Sequence, residues 1–203
     1  MHLLALPFAI LATAPLLLGV HAHRLFPSDI RCPTGFHNSF VHNSYTYIAP
    51  LHKFTEITGS FFNLTWYGAD INSTTGADNV VGATRSATTA GGTFHETLTA
   101  FTSHPGDVFQ YTYHGKPVSF GGVHYSGCTE TLRFESICGG QATYIDVLSH
   151  LCSDDKLSAY DGWYRAHLFA FEGLAAELEA RVFEGDCPTS DVEEETDCEE
   201  EEV

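Results

Sequence analysis

The chain has 203 residues, a formal net charge of −17 and nine Lys and Arg in total. This balance argues against nucleic acid as a partner, because binding to phosphates needs a surplus of basic side chains. Eleven of the 26 acidic residues lie in residues 184–203, so the remainder carries a charge of −6. We predict residues 185–203 to be an acidic, disordered tail that aids solubility, with calcium or a cationic partner as the alternative role. The length before this tail fits one domain with a single core.

Residues 1–22 form an apolar stretch without Lys, Arg, Asp or Glu that ends at Val20-His21-Ala22. Small residues before a cut after Ala22 are typical of a secretory signal peptide. A membrane anchor is the alternative, but the stretch is short and contains two prolines. No other long apolar run follows. We therefore predict a secreted, extracellular protein without stable membrane insertion.

Cysteines and glycosylation motifs favour the same compartment. The six cysteines contain no C-x-x-C pair, which favours disulfides over a zinc site. Asn63 and Asn72 each begin an N-glycosylation sequon, a motif that is modified on exposed segments of secreted proteins. We therefore predict a disulfide-bonded glycoprotein.

The elements in chain order indicate an α+β fold. After the leader we predict an irregular segment over residues 23–39, a strand over residues 40–48, one or two short helices within residues 51–67, and a turn-rich connection over residues 72–78. Further strands are predicted over residues 82–88, 93–101, 107–113, 118–124, 125–137 and 141–152. Tight glycine-containing turns separate most of these strands, so neighbours should pair antiparallel.

A long amphipathic helix is predicted over residues 158–184. Ser158 begins a capping-box-like signal, and Gly185 follows the last periodic residue. With 3.6 residues per turn, one arc of about 120° collects apolar and mostly aromatic side chains. These are Tyr160, Trp163, Tyr164, His167, Phe171, Leu174, Leu178 and Val182. Such a stripe should pack on a broad apolar surface.

One hairpin predicts a pair of charged side chains. A turn centred on Ala90-Gly91 places Arg85 opposite Glu96, where the two side chains are close enough for an ion pair. The pair would fix the register of the hairpin.

The cysteine pairing is predicted from a second hairpin. A turn centred on Gly139-Gly140 brings Cys128 within one residue of the position opposite Cys152, so a one-residue bulge would allow a disulfide. The pairing of Cys32, Cys138, Cys187 and Cys198 stays open, with Cys32 to Cys187 the natural bridge, since it would join the two ends of the domain.

Three motifs and the closing helix carry a resemblance to a known family. The motifs are Val80-Val-Gly-Ala-Thr-Arg85, Gly91-Gly-Thr-Phe-His-Glu96-Thr-Leu98 and Phe109-Gln-Tyr-Thr-Tyr113. The chain resembles the START-like helix-grip superfamily (SRPBCC), and within it the polyketide cyclase/dehydrase-like branch. The resemblance implies a domain over residues 40–184 with two short helices after the first strand, and a curved antiparallel sheet of about six to seven strands around a long C-terminal helix. It also implies a cavity between sheet and helix for a hydrophobic small molecule.

Several side chains are candidates for chemistry in such a cavity. His167 lies in the middle of the helical stripe, where an imidazole could act as a general acid or base, or simply be a hydrogen-bonded core histidine. Arg85 and Glu96 could orient a carbonyl or enolate, as polar groups do in cyclase-like members, or form only the cross-strand ion pair. The candidate ligand-binding residues are Tyr111, Tyr113, Tyr144, Trp163, Tyr164, His167, Phe171 and Leu174.

Three functions follow as hypotheses. The first is a secreted, monomeric carrier or sensor of a lipid, sterol or polyketide-like compound, without cofactor or metal. The second is a cofactor-free cyclase, dehydratase or hydrolase-like enzyme in the same pocket, although the sequence has no nucleophile elbow and no phosphate loop. The third is a copper-binding protein: cleavage after Ala22 would leave His23 amino-terminal, where it could chelate copper with His37, His42 or His95.

Overall fold

The computed structural model describes residues 31–188. The predicted signal peptide at residues 1–22, His23, which the predicted cleavage would leave amino-terminal, and the acidic tail beyond residue 188 lie outside this part of the chain. The same holds for the first part of the segment predicted to be irregular at residues 23–39.

The described chain folds into one antiparallel sheet and two α-helices. The strands are β1 (His37–Ile48), β2 (Asp70–Thr75), β3 (Thr84–Thr89), β4 (Gly92–His104), β5 (Val108–Gly115), β6 (Val118–Phe120), β7 (Val123–Ile137), β8 (Ala142–Ser153) and β9 (Arg181–Val182). The α-helices are α1 (Leu51–Thr58) and α2 (Lys156–Glu177), and short 3₁₀-helices cover Thr65–Tyr67 and Cys138–Gly140. The strand order is β2-β3-β4-β5-β7-β8-β1-β9, with β6 paired to β7. The α+β prediction is confirmed.

The inner face of the sheet and α2 form the main core. Buried and partly exposed residues alternate along β7 and β8, because successive side chains of a strand point to opposite faces. Leu132, Phe134 and Ile145 from these strands lie in one cluster with Phe171 and Leu174 of α2. Each such side chain stabilises the fold by about 1.5–3 kcal/mol when fully buried. The sheet therefore holds the helix through an apolar contact.

Helix α2 begins and ends earlier than predicted. Asp155 caps its start, since Asp155 Oδ1 accepts from the backbone N–H groups of Leu157 and Ser158 at 3.1 Å each. The helix ends because Glu179 adopts a positive φ of 52°, and the chain turns back so that β9 pairs with the end of β1. The predicted continuation to residue 184 is therefore wrong. Neither α-helix among residues 31–188 has the length and apolar character to cross a bilayer.

The strands also differ from the prediction in number and extent. The described sheet has nine strands, more than the family resemblance implied. Residues 70–75 form β2 although the polar sequence indicated a turn-rich connection, because β3 supplies backbone partners and Asn72 Nδ2 donates to Thr88 Oγ1 at 2.8 Å. β1 begins at His37, inside the segment predicted to be irregular. The two short helical segments after β1, separated at Gly59, agree with the prediction.

The two disulfides of the described residues are Cys32–Cys152 and Cys138–Cys187. The predicted pairs Cys128–Cys152 and Cys32–Cys187 are therefore wrong. Cys128 lies opposite Leu151 in the register of β7 and β8, so Cys128 points to the inner face while Cys152 points to the outer face. Two side chains that are offset by one residue across a hairpin therefore lie on opposite faces of the sheet. Cys128 is left as a buried free thiol.

Candidate ligand-binding site

A cavity of about 190 Å³ lies between the inner face of the sheet and the first half of α2. Aromatic side chains dominate its wall, among them Trp66, Tyr67, Phe94, Tyr111, Tyr113 and Trp163. Exposed residues mark the end at which the cavity meets solvent: His95, Lys116, Gly121, Ser158 and Gly162. An aromatic concavity with few polar groups is the usual composition of a small-molecule site.

The first polar feature of the wall is the Arg85–Glu96 pair, which confirms the predicted register. The two residues lie opposite each other on β3 and β4, and Arg85 Nε donates to Glu96 Oε2 at 2.6 Å. Arg85 Nη1 also donates to the carbonyl oxygen of Phe61 at 2.6 Å, and the guanidinium carbon lies 4.1 Å from the centre of the Phe61 ring. Burial raises the pKa of Glu96, and the charge of Arg85 opposes that shift. As a buried, directly bonded ion pair, the two groups add no net charge to the cavity.

The second polar feature is Glu130 on β7, which four side chains contact. Tyr113 Oη donates to Glu130 Oε1. Glu130 Oε2 accepts from Ser149 Oγ at 2.5 Å and from Trp163 Nε1 at 2.7 Å, and it lies 3.0 Å from His167 Nε2. Tyr113 and Ser149 belong to the sheet, whereas Trp163 and His167 belong to α2. Glu130 therefore ties the helix to the sheet at the wall of the cavity.

The carboxyl group of Glu130 has an unusually low pKa for a buried acid. Burial alone would raise this pKa, but the positive charge of protonated His167 and the contacts from His167, Ser149 and Tyr113 outweigh burial and lower the pKa to about 2. Burial and the neighbouring charge of Glu130 in turn raise the pKa of Tyr113 well above its usual value. Glu130 is thus an ionised acceptor and Tyr113 a neutral donor at physiological pH.

His167 is fully buried and does not border the cavity. Its Nε2 lies close to Glu130, although the ring is not aligned for a linear hydrogen bond, and its Nδ1 has no hydrogen-bond partner among residues 31–188. The rings of Tyr67 and Trp163 lie 5.9 and 6.4 Å from the imidazole. Glu130 therefore stands between His167 and any molecule in the cavity.

Solved structures with a similar architecture share little sequence with this chain. A protein from Nitrosospira multiformis has a TM-score of 0.53 at 21% identity, over 68% of this chain and 95% of that chain. An uncharacterized protein from Bacillus thuringiensis has a TM-score of 0.56 at 12% identity, over 70% of this chain and 99% of that chain. Norcoclaurine synthase from Thalictrum flavum has a TM-score of 0.52 at 8% identity, over 83% of this chain and 99% of that chain. The chain has the helix-grip fold. No protein-family model and no curated protein matches it.

The candidate ligand-binding residues divide into two groups around the cavity of this helix-grip domain. Those that border it are Tyr111, Tyr113 and Trp163, and those that do not are Tyr144, Tyr164, His167, Phe171 and Leu174. Tyr164 is 38% exposed and stacks on Tyr160. Tyr144 lies on the outer face of β8, where its hydroxyl donates to Asp146. Arg85 and Glu96 both border the cavity, so the structure brings these two together with three of the eight predicted ligand contacts.

Sequence reasoning missed Glu130, the most heavily contacted polar group of the site. A signal was present in β7, because Glu130 has the same parity as the buried Leu132 and Phe134. A charged residue in the apolar phase of a strand indicates a buried acid with dedicated partners. The partners of Glu130 belong to β5, β8 and α2, and the pattern of β7 alone does not identify them.

The two sequons occupy different surroundings. Asn72 lies exposed on β2. Asn63 is half-buried, and its Nδ2, the atom to which a glycan would be attached, donates to the carbonyl oxygen of Ile57 at 3.0 Å. Glycosylation at both positions stays a prediction, with Asn72 the more accessible acceptor.

The described part of the chain contains no candidate site for a metal ion. Residues 31–188 contain no group of three His, Cys, Asp or Glu placed to hold a metal ion. The copper hypothesis depended on His23, which lies outside these residues. Of its suggested partners, His42 contacts Asp146 Oδ1 through Nε2 at 2.5 Å.

Proposed function

We propose that the protein is a secreted carrier of a hydrophobic small molecule, held in the cavity between the sheet and α2. The observation that carries the proposal is the cavity itself, with its aromatic wall and its volume of about 190 Å³. Transfer of apolar ligand surface into such a site is favourable by about 25 cal/mol per Å². Pockets for drug-sized ligands measure roughly 300–1,000 Å³, so this smaller volume favours a compact one-ring or two-ring compound over a long lipid or a sterol.

Secretion and a monomeric state belong to the same proposal. Both disulfides support secretion, since such bonds persist in oxidising compartments. They attach Cys32 to β8 and Cys187 to the turn after β7, near the two ends of the described chain. A single chain supplies the whole wall of the cavity, so a monomer suffices for binding.

Two glycines of α2 allow a direct test of the cavity. Gly162 borders the cavity and Gly173 does not, and a Cβ atom at either position meets no atom within 4 Å. We expect Gly162→Leu to weaken binding of naphthylmethanol, a neutral two-ring alcohol, by at least about tenfold, because the new side chain occupies the entrance. Isothermal titration calorimetry measures this affinity.

The matched control is Gly173→Leu, which should bind naphthylmethanol as the wild type does. Both substitutions replace a helical glycine and should stabilise the helix by up to about 1 kcal/mol, so a difference in binding does not arise from stability. Equal affinities for the two variants, or no binding by the wild type, would contradict the carrier proposal.

A cofactor-free cyclase-like or dehydratase-like enzyme is the second candidate, favoured by the contact between Glu130 and His167 at the wall of the cavity. In this case the Glu130 carboxylate takes a proton from the bound substrate and returns it to the leaving oxygen, which departs as water, or to another atom of the product. His167 stabilises the ionised carboxylate of Glu130, and Arg85 with Glu96 orients a carbonyl. The low pKa of Glu130 makes it a weak base, which places the enzyme second. Substitution of His167 by Phe separates the two candidates: lost turnover with retained binding supports the enzyme, and unchanged behaviour leaves the carrier.

A further inference from the structure

The carboxylate of Glu130 is the charged group of the enclosed cavity wall that has no permanently charged partner. Arg85 and Glu96 neutralise each other across 2.6 Å. The charge of Glu130 is balanced only when His167, 3.0 Å away, carries a proton. Lys116 also borders the cavity, but it is exposed and solvent screens its charge. With a neutral imidazole, the enclosed part of the cavity therefore carries one negative charge.

Three neutral side chains also hold the carboxylate of Glu130. Tyr113, Ser149 and Trp163 donate three hydrogen bonds to its carboxylate, and all three donors are neutral. A carboxylate that accepts two or three hydrogen bonds is stable in its ionised form. Neutral donors stabilise the charge but do not remove it, so the charge stays available to a ligand.

The two carboxylate oxygens of Glu130 differ in how many further hydrogen bonds they can accept. Oε2 accepts from Ser149 and Trp163 and also lies beside His167. Oε1 accepts from Tyr113, its one hydrogen-bond donor within residues 31–188. A carboxylate oxygen has two lone pairs, so Oε1 can accept one more hydrogen bond from a molecule in the cavity.

The rings around this carboxylate suit a cation. Tyr113 and Trp163 border the cavity while their polar edges bind Glu130. The face of an aromatic ring attracts a positive charge within about 6 Å of its centre. The protein already uses one of these rings in this way, since Arg85 Cζ lies 5.0 Å from the centre of the Tyr113 ring.

We propose that the cavity takes a small amine, whose protonated nitrogen donates to Glu130 Oε1 while its apolar body lies among the aromatic rings. The inference rests on the proposed carrier function and names its ligand class. An anionic ligand would meet the charge of Glu130, and the guanidinium of Arg85 is already engaged by Glu96. The net charge of −17 also concentrates cations around the protein.

Apart from His167, the titratable groups whose pKa the charge of Glu130 affects are Glu96, Tyr67, Tyr111, Tyr113 and Cys128, and Arg85 is the partner of Glu96. Burial raises the pKa of the three tyrosines and of the thiol, so these groups stay neutral, and Arg85 and Glu96 remain paired.

Three probes with the same two-ring body test the proposal. They are naphthylmethylamine, naphthylmethanol and naphthoate, which carry a positive, a neutral and a negative head group. Calorimetric titration of the full secreted protein at mildly alkaline pH should show the amine binding at least about tenfold more tightly than the alcohol, and the alcohol more tightly than naphthoate.

The outcomes separate this inference from the carrier proposal. Binding of the alcohol without any gain for the amine, or tightest binding of naphthoate, overturns the amine proposal and leaves the carrier intact. Absence of binding by all three probes removes the carrier proposal, and the amine proposal with it.

Two matched variants test whether the carboxylate of Glu130 causes the preference for the amine over the alcohol. Glu130→Gln removes the charge with little change of shape and should reduce the amine preference to less than about threefold while naphthylmethanol still binds. Glu135→Gln, the same substitution at a carboxylate paired with Arg133 on the same strand, should keep the wild-type preference. If Glu130→Gln fails to fold, the wild type alone decides: the amine should bind at least about tenfold more tightly than the alcohol, and an amine affinity no higher than that of the alcohol contradicts the proposal.

Discussion

Glu130 is the single residue on which the site and the packing of α2 both depend. Its ordinary pKa of 4.5 falls to about 2 in the folded protein. Between these values the unfolded chain binds more protons than the folded chain. The contribution of Glu130 to stability is therefore fully present above about pH 4.5 and is lost as the pH falls towards about 2.

We expect Glu130→Gln to flatten the acid dependence of stability. When the pH is lowered from above about 4.5 to below about 2, the wild type should lose roughly 3 kcal/mol more of its free energy of unfolding than the variant. Urea unfolding at a series of pH values measures the difference. Glu135→Gln is the control and should follow the wild type, and a Glu130→Gln curve with the wild-type slope would contradict the assigned pKa.

The sequence could predict one polar pair of the site but not the other. Arg85 and Glu96 are 11 residues apart in one hairpin, so the turn between them fixes their contact. Glu130 accepts hydrogen bonds from Tyr113, Ser149 and Trp163, which are 17, 19 and 33 residues away along the chain. Those contacts depend on which strands become neighbours and on where the helix lies, and no local pattern contains that information.

At the level of elements, α2 shows why a stripe of large side chains misleads. The predicted arc contained Tyr160 and Tyr164, which are 47% and 38% exposed. The buried face instead includes Ala159 and Ala170. Small side chains let the helix approach the sheet closely, whereas a tyrosine on the rim keeps its hydroxyl in water. The part of the arc that holds His167 was correctly assigned to the interior.

The start of α2 allows a prediction about helix stability. Asp155→Ala removes the acceptor for the backbone N–H groups of Leu157 and Ser158, and we expect it to lower the free energy of unfolding by about 1 kcal/mol. Chemical denaturation measures this loss. Asp161→Ala is the control on the same helix, where an exposed pair with Arg165 contributes at most about 0.5 kcal/mol. Equal losses for both variants would show that Asp155 is not the cap.

At the level of the whole molecule, the disulfides fasten both ends of the described chain to the sheet. They span separations of 120 and 49 residues, so each closes a long loop. Cross-links of this kind stabilise mainly because they restrict the unfolded chain. The hydrophobic core then holds the middle of the chain, and the covalent bonds hold its periphery.

We expect the paired substitution of Cys32 and Cys152 by Ala to cost about 2–4 kcal/mol of unfolding free energy. Urea unfolding of the secreted protein measures the loss, and Cys128→Ala, which removes a free thiol, is the control for substitution at a cysteine. Peptide mapping without reduction should recover a cross-linked peptide that contains Cys32 and Cys152. A peptide that joins Cys128 to Cys152 would overturn the pairing.

The sequence by itself determined most elements of this protein and their order, β2 and β9 excepted, and the register of the hairpin that pairs Arg85 with Glu96. These features follow from periodicity and turn chemistry, which act over a few residues. Tertiary structure alone decided the partners of Cys152, the face of α2 that is buried and the network around Glu130. Each of these depends on which face of the sheet a side chain occupies and on which distant element covers it, because a shift of one residue along a strand reverses that face.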